Sequence, residues 1–149
     1  MKLETQNLRV RIATVVSALL LSVTSACAQN ETKPDSAKAA QDTIITPLMS
    51  KEFANIPGKE GMMLTIEYAP GASTTPHRHN AHVFVYVLEG SITMQCHGAD
   101  PVTLTAGQTF YESPNDVHMV SKNASSTKPA KFLVHLVKDK GVPPVLPAQ

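Results

Sequence analysis

Short apolar segments separated by turn-forming residues constrain the fold of this chain more than any other feature. Seven to nine such segments fall within about 100 residues, and glycine, proline or asparagine separates most of them. Met62–Tyr68, for example, alternates between two faces, as a strand with one buried face does. The chain shows neither strand–helix–strand units nor an internal repeat. We therefore predict an all-β fold, either an antiparallel sandwich or a closed jelly-roll barrel.

The first 28 residues are predicted to be a secretory signal peptide. A basic start from Lys2 to Arg11 precedes the mainly apolar run Ile12–Val23, and small residues at 26–28 provide a cleavage site after Ala28. The apolar run is shorter than the roughly 20 residues that span a bilayer. We expect a periplasmic or secreted protein with no membrane-spanning segment in the mature chain.

Cys27 leaves an alternative to soluble export open. Bacterial lipoprotein signals also end in small residues before a cysteine that becomes lipidated, although they usually carry an aliphatic residue where this chain has Thr24. The alternative is therefore a mature protein that is anchored by a lipid on Cys27.

The charge and cysteine content of the mature chain exclude several classes of protein. Of the 13 basic and 12 acidic residues, residues 1–28 carry three and one, so the mature chain has a net charge of −1. No basic patch favours nucleic acid or anionic lipid as a partner. Cys96 is the one cysteine that remains after cleavage, so no internal disulfide supports the fold.

Composition divides the rest of the chain into three parts. Residues 29–43 are polar and lack an apolar face, which predicts a flexible linker. Residues 44–138 contain the strand pattern and form the predicted domain, with an edge strand at its start because Pro47 cannot donate a ladder hydrogen bond. Residues 139–149 are proline-rich and predict a loose tail.

A histidine cluster within Pro76–His82 is the candidate functional site. His77 and His79 are two positions apart, so on a strand they point to the same face, about 7 Å from each other. That spacing suits two imidazole ligands of one metal ion. His118, after the turn at 113–116, is the natural third ligand. Imidazoles bind iron, manganese, nickel and zinc alike, so the spacing does not choose the metal.

Two segments of the chain resemble the two motifs of the cupin family. Residues 71–90 resemble the first motif, a glycine, five residues, His-x-His, a glutamate and a final glycine. Gly107 and His118 match the second motif, whose asparagine appears here as Asn123, one position later than usual. The resemblance implies a small single-domain cupin: a jelly-roll barrel, with a divalent transition metal bound by His77, His79 and His118, and frequent dimerisation through an outer sheet face.

The chain departs from the first cupin motif at its glutamate. Val83 occupies that position, and valine cannot bind a metal. The neighbouring His82 becomes a fourth ligand if Asn80 and Ala81 form a bulge, because one inserted residue reverses the face of the strand. Otherwise the site has three histidines, as in some cupin-type thiol dioxygenases. Glu112 is a weaker candidate carboxylate, since a charge at a strand end is normally solvated.

These features leave three hypotheses for the function and assign no catalytic residue. The first is a metal-dependent, dioxygenase-like oxidoreductase that acts on a small molecule. The second is a non-catalytic module that binds a metal or a small ligand, and the third is a cupin that binds no metal. The strand Val83–Leu88 is apolar on both faces, so its outer face needs cover and we expect a homodimer.

Overall fold

The computed structural model describes residues 42–148, and the predictions for residues 1–28 and for the linker up to residue 41 lie outside them. The strands of the described residues are β1 Thr43–Glu52, β2 Lys59–Tyr68, β3 Ser73–Thr74, β4 His77–Arg78, β5 Ala81–Glu89, β6 Ser91–Cys96, β7 Val102–Thr105, β8 Thr109–Glu112, β9 Val117–Asn123, β10 Ala130–Asp139 and β11 Leu146–Pro147. Within this range, no helix is long and apolar enough to cross a membrane.

Two antiparallel sheets enclose the core. The five-stranded sheet has the order β1-β2-β10-β5-β8, and the six-stranded sheet has the order β11-β4-β9-β6-β7, with β3 also paired to β9. β1 lies at an edge, as Pro47 predicts, and its register to β2 shifts between Pro47 and Met49. The prediction of an all-β antiparallel jelly roll is confirmed.

Alternation along β5 determines what enters the barrel. Val83, Val85 and Val87 are buried and belong to one apolar core, which also contains Leu64, Phe132, Val134, Leu136, Ile92 and Met94. The intervening residues Phe84 and Tyr86 are on the outer face and remain exposed in the single chain. This strand is apolar on both faces: one face packs in the core of the barrel, and the other is exposed to solvent in the single chain.

The C-terminal segment is held against the barrel, in contrast to the loose tail expected for residues 139–149. β10 extends to Asp139, and β11 pairs with β4, where Leu146 faces Arg78 and Pro147 faces His77. Lys138 is buried, forms an ion pair with Glu60 and donates a hydrogen bond to the carbonyl of Val142 (2.6 Å). A buried ammonium group needs such partners, so this contact fixes the start of the tail.

Candidate metal centre

Three histidines meet inside the barrel. The candidate ligand atoms of His77, His79 and His118 all lie within 4.8 Å of one another. The ring centroid of His77 is 4.9 Å from that of His79 and 5.0 Å from that of His118. The structure therefore brings together the three side chains that the spacing of the sequence selects.

Local strand geometry explains why these three rings converge. His77 and His118 are register partners on β4 and β9, and cross-strand partners present their side chains side by side. His79 shares the inward face of His77 two residues further on. The turn before β9 is closed by Asp116, whose carboxylate accepts a hydrogen bond from the amide of Ser113 (2.6 Å).

A β-bulge in β9 allows His118 and Asn123 to share the inward face. Gln95 pairs with Val120 and Cys96 pairs with His118, so Met119 is the additional residue of the bulge. Met119 is exposed, whereas His118 and Asn123 are buried. Five positions separate these two residues, an odd number that would place them on opposite faces of a regular strand. The late asparagine of the second motif is thus explained by one inserted residue.

Backbone carbonyls orient two of the three imidazoles. His77 Nδ1 lies 2.8 Å from the carbonyl oxygen of Thr75, and His79 Nδ1 lies 2.6 Å from that of Pro144. A carbonyl oxygen can only accept, so each Nδ1 carries the proton and each neutral ring has its lone pair on Nε2. Burial lowers the pKa of His77, with smaller contributions from the two other imidazoles, which favours the neutral form that binds metals.

Glu112 supplies a buried carboxylate to the same cluster. Its Oε2 lies 3.2 Å from His118 Nδ1 and 3.7 Å from His79 Nε2. The side chain is 2% exposed, so the expectation of a solvated charge at a strand end is wrong. Val83 and Glu112 are register partners on β5 and β8. The carboxylate therefore enters the site from the strand beside the position that the first motif assigns to glutamate.

His82 does not join the cluster, in contrast to the alternative in which it replaces the missing glutamate. His79, Ala81 and Val83 are buried and the residues between them are exposed, so the alternation continues without the required bulge. His82 lies on the outer face, where its Nδ1 is 2.7 Å from the hydroxyl of Tyr111. Its orientation is that of a surface residue.

The unpaired polar atoms of the site fit a divalent transition metal. His118 is 3% exposed, yet neither of its ring nitrogens makes a hydrogen bond, and neither does Glu112 Oε2. The 3.2 Å contact between Glu112 Oε2 and His118 Nδ1 is an ion-pair contact without the geometry of a hydrogen bond. Buried polar atoms without partners cost free energy unless a ligand satisfies them. Three imidazoles and one carboxylate suit iron, manganese, nickel or zinc.

The cluster forms part of the wall of a cavity of about 240 Å³ between the two sheets. The three histidines and Glu112 contribute its metal-binding groups. Much of the remaining wall is apolar and is formed by Ile66, Val85, Met94, Phe132, Val134 and Val145. A small molecule in this cavity would contact the metal-binding groups on one side and aliphatic or aromatic groups on the others.

Replacing Glu112 with glutamine is expected to lower the affinity for divalent metal by at least about tenfold. The amide keeps the volume of the side chain but removes the negative charge and one acceptor oxygen from the cluster. Titration of the metal-free protein with Co²⁺ would measure the change. The matched control is Glu89→Gln at the exposed end of β5, which should leave the affinity unchanged. Equal affinities for the Glu112 variant and the wild type would exclude a role for this carboxylate.

Removal of residues 144–149 is expected to weaken metal binding by about 10- to 100-fold, because His79 loses the carbonyl that orients its ring. The control is a shorter truncation that removes residues 148 and 149 and retains β11. Both proteins are titrated with the same metal, and circular dichroism verifies their folding. Wild-type affinity in the folded longer truncation would show that the tail does not support the site.

Comparisons with known proteins agree with this architecture. The family profile described as "Cupin domain" matches residues 64–136. No curated protein is significantly similar to the chain in sequence. Among solved structures, a cupin domain of an XRE family transcriptional regulator from Enterobacter cloacae is 26% identical, with a TM-score of 0.50, over 64% of this chain and 96% of that chain.

Two enzymes share the fold at lower identity. The polyketide cyclase RemF from Streptomyces resistomycificus is 21% identical, with a TM-score of 0.56, over 73% of this chain and 72% of that chain. A recombinant oxalate oxidase in complex with glycolate is 22% identical, with a TM-score of 0.54, over 71% of this chain and 55% of that chain. The matched profile identifies residues 64–136 as a cupin domain, and these structural neighbours share its jelly-roll fold.

Proposed function

We propose that this protein is an exported metal-binding cupin in which His77, His79 and His118 hold one divalent transition metal and Glu112 provides the carboxylate. The observation that carries the proposal is the convergence of three imidazoles whose ligand atoms lie within 4.8 Å of one another, beside His118 ring nitrogens and a Glu112 Oε2 that make no hydrogen bond. Those unpaired atoms count against a barrel that binds no metal. Export rests on the pattern of residues 1–28 in the sequence.

The best-supported reaction class is a metal-dependent oxidation of a small molecule, similar in type to that of a dioxygenase. A bound metal of this kind supplies Lewis acidity and, if it is iron or manganese, a redox centre. The residues of the chain hold two of the three imidazoles in one tautomer, place the Glu112 carboxylate beside them and line much of the remaining cavity with apolar side chains. The oxalate oxidase among the structural neighbours supports an oxidase on this fold, although fold alone does not establish function.

A non-catalytic binding module is the second candidate function. Among the described residues that line the cavity, the titratable side chains are the three histidines, Glu112 and Tyr68. The first four belong to the proposed metal site, and burial raises the pKa of Tyr68, which makes it a poor base near neutral pH. The cavity thus offers no separate general base, which favours binding without turnover or a reaction that needs no such base.

Metal analysis of protein purified without an affinity tag tests both candidates. We expect stoichiometric metal in the wild type, loss of metal in His77→Ala and His118→Ala, and full metal content in the control His82→Ala. Oxygen uptake on a panel of small molecules would support the enzyme, and bound metal without turnover would support the binding module. If the wild type takes up no metal even after reconstitution, the metal-dependent enzyme and the metal-binding module are both wrong.

The outer face of the five-stranded sheet supports the proposal of a homodimer. Phe84, Tyr86, Leu88 and Tyr111 lie on β5 and β8 and are each 39% to 49% exposed. Phe84 and Tyr111 contact each other, with ring centroids 5.3 Å apart. A contiguous apolar patch of this kind marks an interaction surface more often than an isolated exposed residue does. A second copy would cover the same patch on each chain.

Phe84→Glu is expected to shift the protein from dimer to monomer, because a charge would be buried in the interface. Light scattering at micromolar concentration measures the mass. The control is Val102→Glu on β7 of the other sheet, at a position with 38% exposure, and this variant should remain dimeric. A wild-type protein that is monomeric under these conditions would refute the dimer.

A further inference from the structure

Two buried hydroxyl groups line the cavity and play no part in the proposed metal site. The hydroxyl of Tyr68 and Oγ of Ser121 are 2.7 Å apart, and the two residues are 1% and 5% exposed. Tyr68 comes from the five-stranded sheet and Ser121 from the six-stranded sheet, so the pair bridges the interior. Burial raises the pKa of Tyr68, which keeps its hydroxyl protonated at neutral pH.

The pair has capacity to donate a further hydrogen bond. Thr74 lines the same wall, and its hydroxyl lies 3.5 Å from the backbone oxygen of Ser121. If the Thr74 hydroxyl donates to that backbone oxygen, the hydroxyl protons of Tyr68 and Ser121 remain. One of these two protons lies in the hydrogen bond between Tyr68 and Ser121. Hydroxyl protons rotate to the best acceptor, so the last one can be donated to Thr74 or to a molecule in the cavity.

The hydroxyl pair and the metal site are separated along β9, which pairs with β3 beside the hydroxyl pair and with β4 beside the metal site. Thr74 pairs with Ser121, and three residues further along the chain His77 pairs with His118 on the other side of the β9 bulge. Three strand residues correspond to roughly 10 Å, and the bulge changes this value slightly. One small molecule could therefore reach both groups.

The charge of the cavity limits what such a molecule can carry. None of the described residues that line the cavity is lysine or arginine. A divalent ion coordinated by three imidazoles and one carboxylate carries a net charge of +1, because a metal binds these groups in their deprotonated forms. In a surrounding of low polarity this charge favours one negative group and disfavours phosphates or dicarboxylates. The cavity volume of about 240 Å³ also lies below that of sites for drug-sized ligands.

We propose that Tyr68 and Ser121 select the ligand of this cavity, a small and largely apolar monoanion with a hydrogen-bond acceptor several bonds from its metal-binding oxygen. This inference rests on the proposed function, since the negative group is assigned to the metal. The metal site fixes one end of the ligand, the apolar wall contacts its chain, and the hydroxyl pair binds the acceptor. A carboxylate with a distant carbonyl group is the simplest member of the class.

The test compares two series of straight-chain carboxylic acids with Co²⁺-loaded protein. The acids of the first series have chains of five to eight carbons and a keto group next to the terminal methyl. Each acid of the second series has the same chain with a methyl branch in place of the keto oxygen. We expect the wild type to bind at least one keto acid about three- to tenfold more tightly than its branched counterpart. Tyr68→Phe should abolish this preference, and the control Tyr111→Phe on the outer face should retain it.

Three results would refute the selecting role of the hydroxyl pair. The inference is wrong if the wild type prefers no keto acid, or if the preference survives in both Tyr68→Phe and Ser121→Ala. It is also wrong if Tyr68→Phe weakens Co²⁺ binding as much as Glu112→Gln does, because the pair would then support the metal site. Ser121→Ala decides the question if Tyr68→Phe does not fold.

The same experiment separates failure of this inference from failure of the proposed function. A wild type that binds no Co²⁺ would refute the metal proposal. The two acid series would then be titrated against the metal-free protein by NMR. A keto preference that is lost in Tyr68→Phe would still establish the hydroxyl pair as the selecting element, and its absence would refute it.

Discussion

The alternation of side chains across each strand is the constraint on which the site depends. Successive residues of a strand point to opposite faces, so each position on β4, β5, β8 and β9 is committed either to the barrel interior or to the outer surface. His77 and His79 enter the interior because they are two positions apart, and His82 is directed outward by the same rule. Any insertion in these strands would exchange the two sets of side chains.

Two departures from the regular pattern leave the site intact. Met119 interrupts β9, and the interruption lets His118 and the later Asn123 both face inward. Asn123 then donates hydrogen bonds to the carbonyls of Ala69 (3.0 Å) and Lys128 (2.8 Å), which secures the loop beside β9. Valine at position 83 removes a carboxylate from β5, and its register partner on β8 restores one.

Groups around the histidine cluster hold two of its imidazoles in orientations that suit metal binding. The carbonyl groups of Thr75, between β3 and β4, and of Pro144, in the C-terminal segment, fix two imidazole tautomers. Metal-ligating histidines normally receive this kind of orientation from their neighbours. The ion pair between the buried Lys138 and the partly exposed Glu60 holds the start of that segment. The tail is thus connected to the metal site through backbone contacts, although its composition is that of a loose terminus.

The sequence by itself determined the all-β class and the shared face of His77 and His79, because alternation and turn residues act within a few positions of each other. Met62–Tyr68, for example, lies within β2 and ends with it at Tyr68. The choice of a jelly roll and of His118 as the third ligand came from the resemblance to the two cupin motifs. The role of Glu112, the position of His82 and the pairing of β11 were decided only by the tertiary structure. Each depends on register between strands that are distant in the chain, or on whether a bulge interrupts one of them. Local sequence carries no information on such pairings, whereas the folded barrel fixes them through backbone hydrogen bonds and the burial of one face.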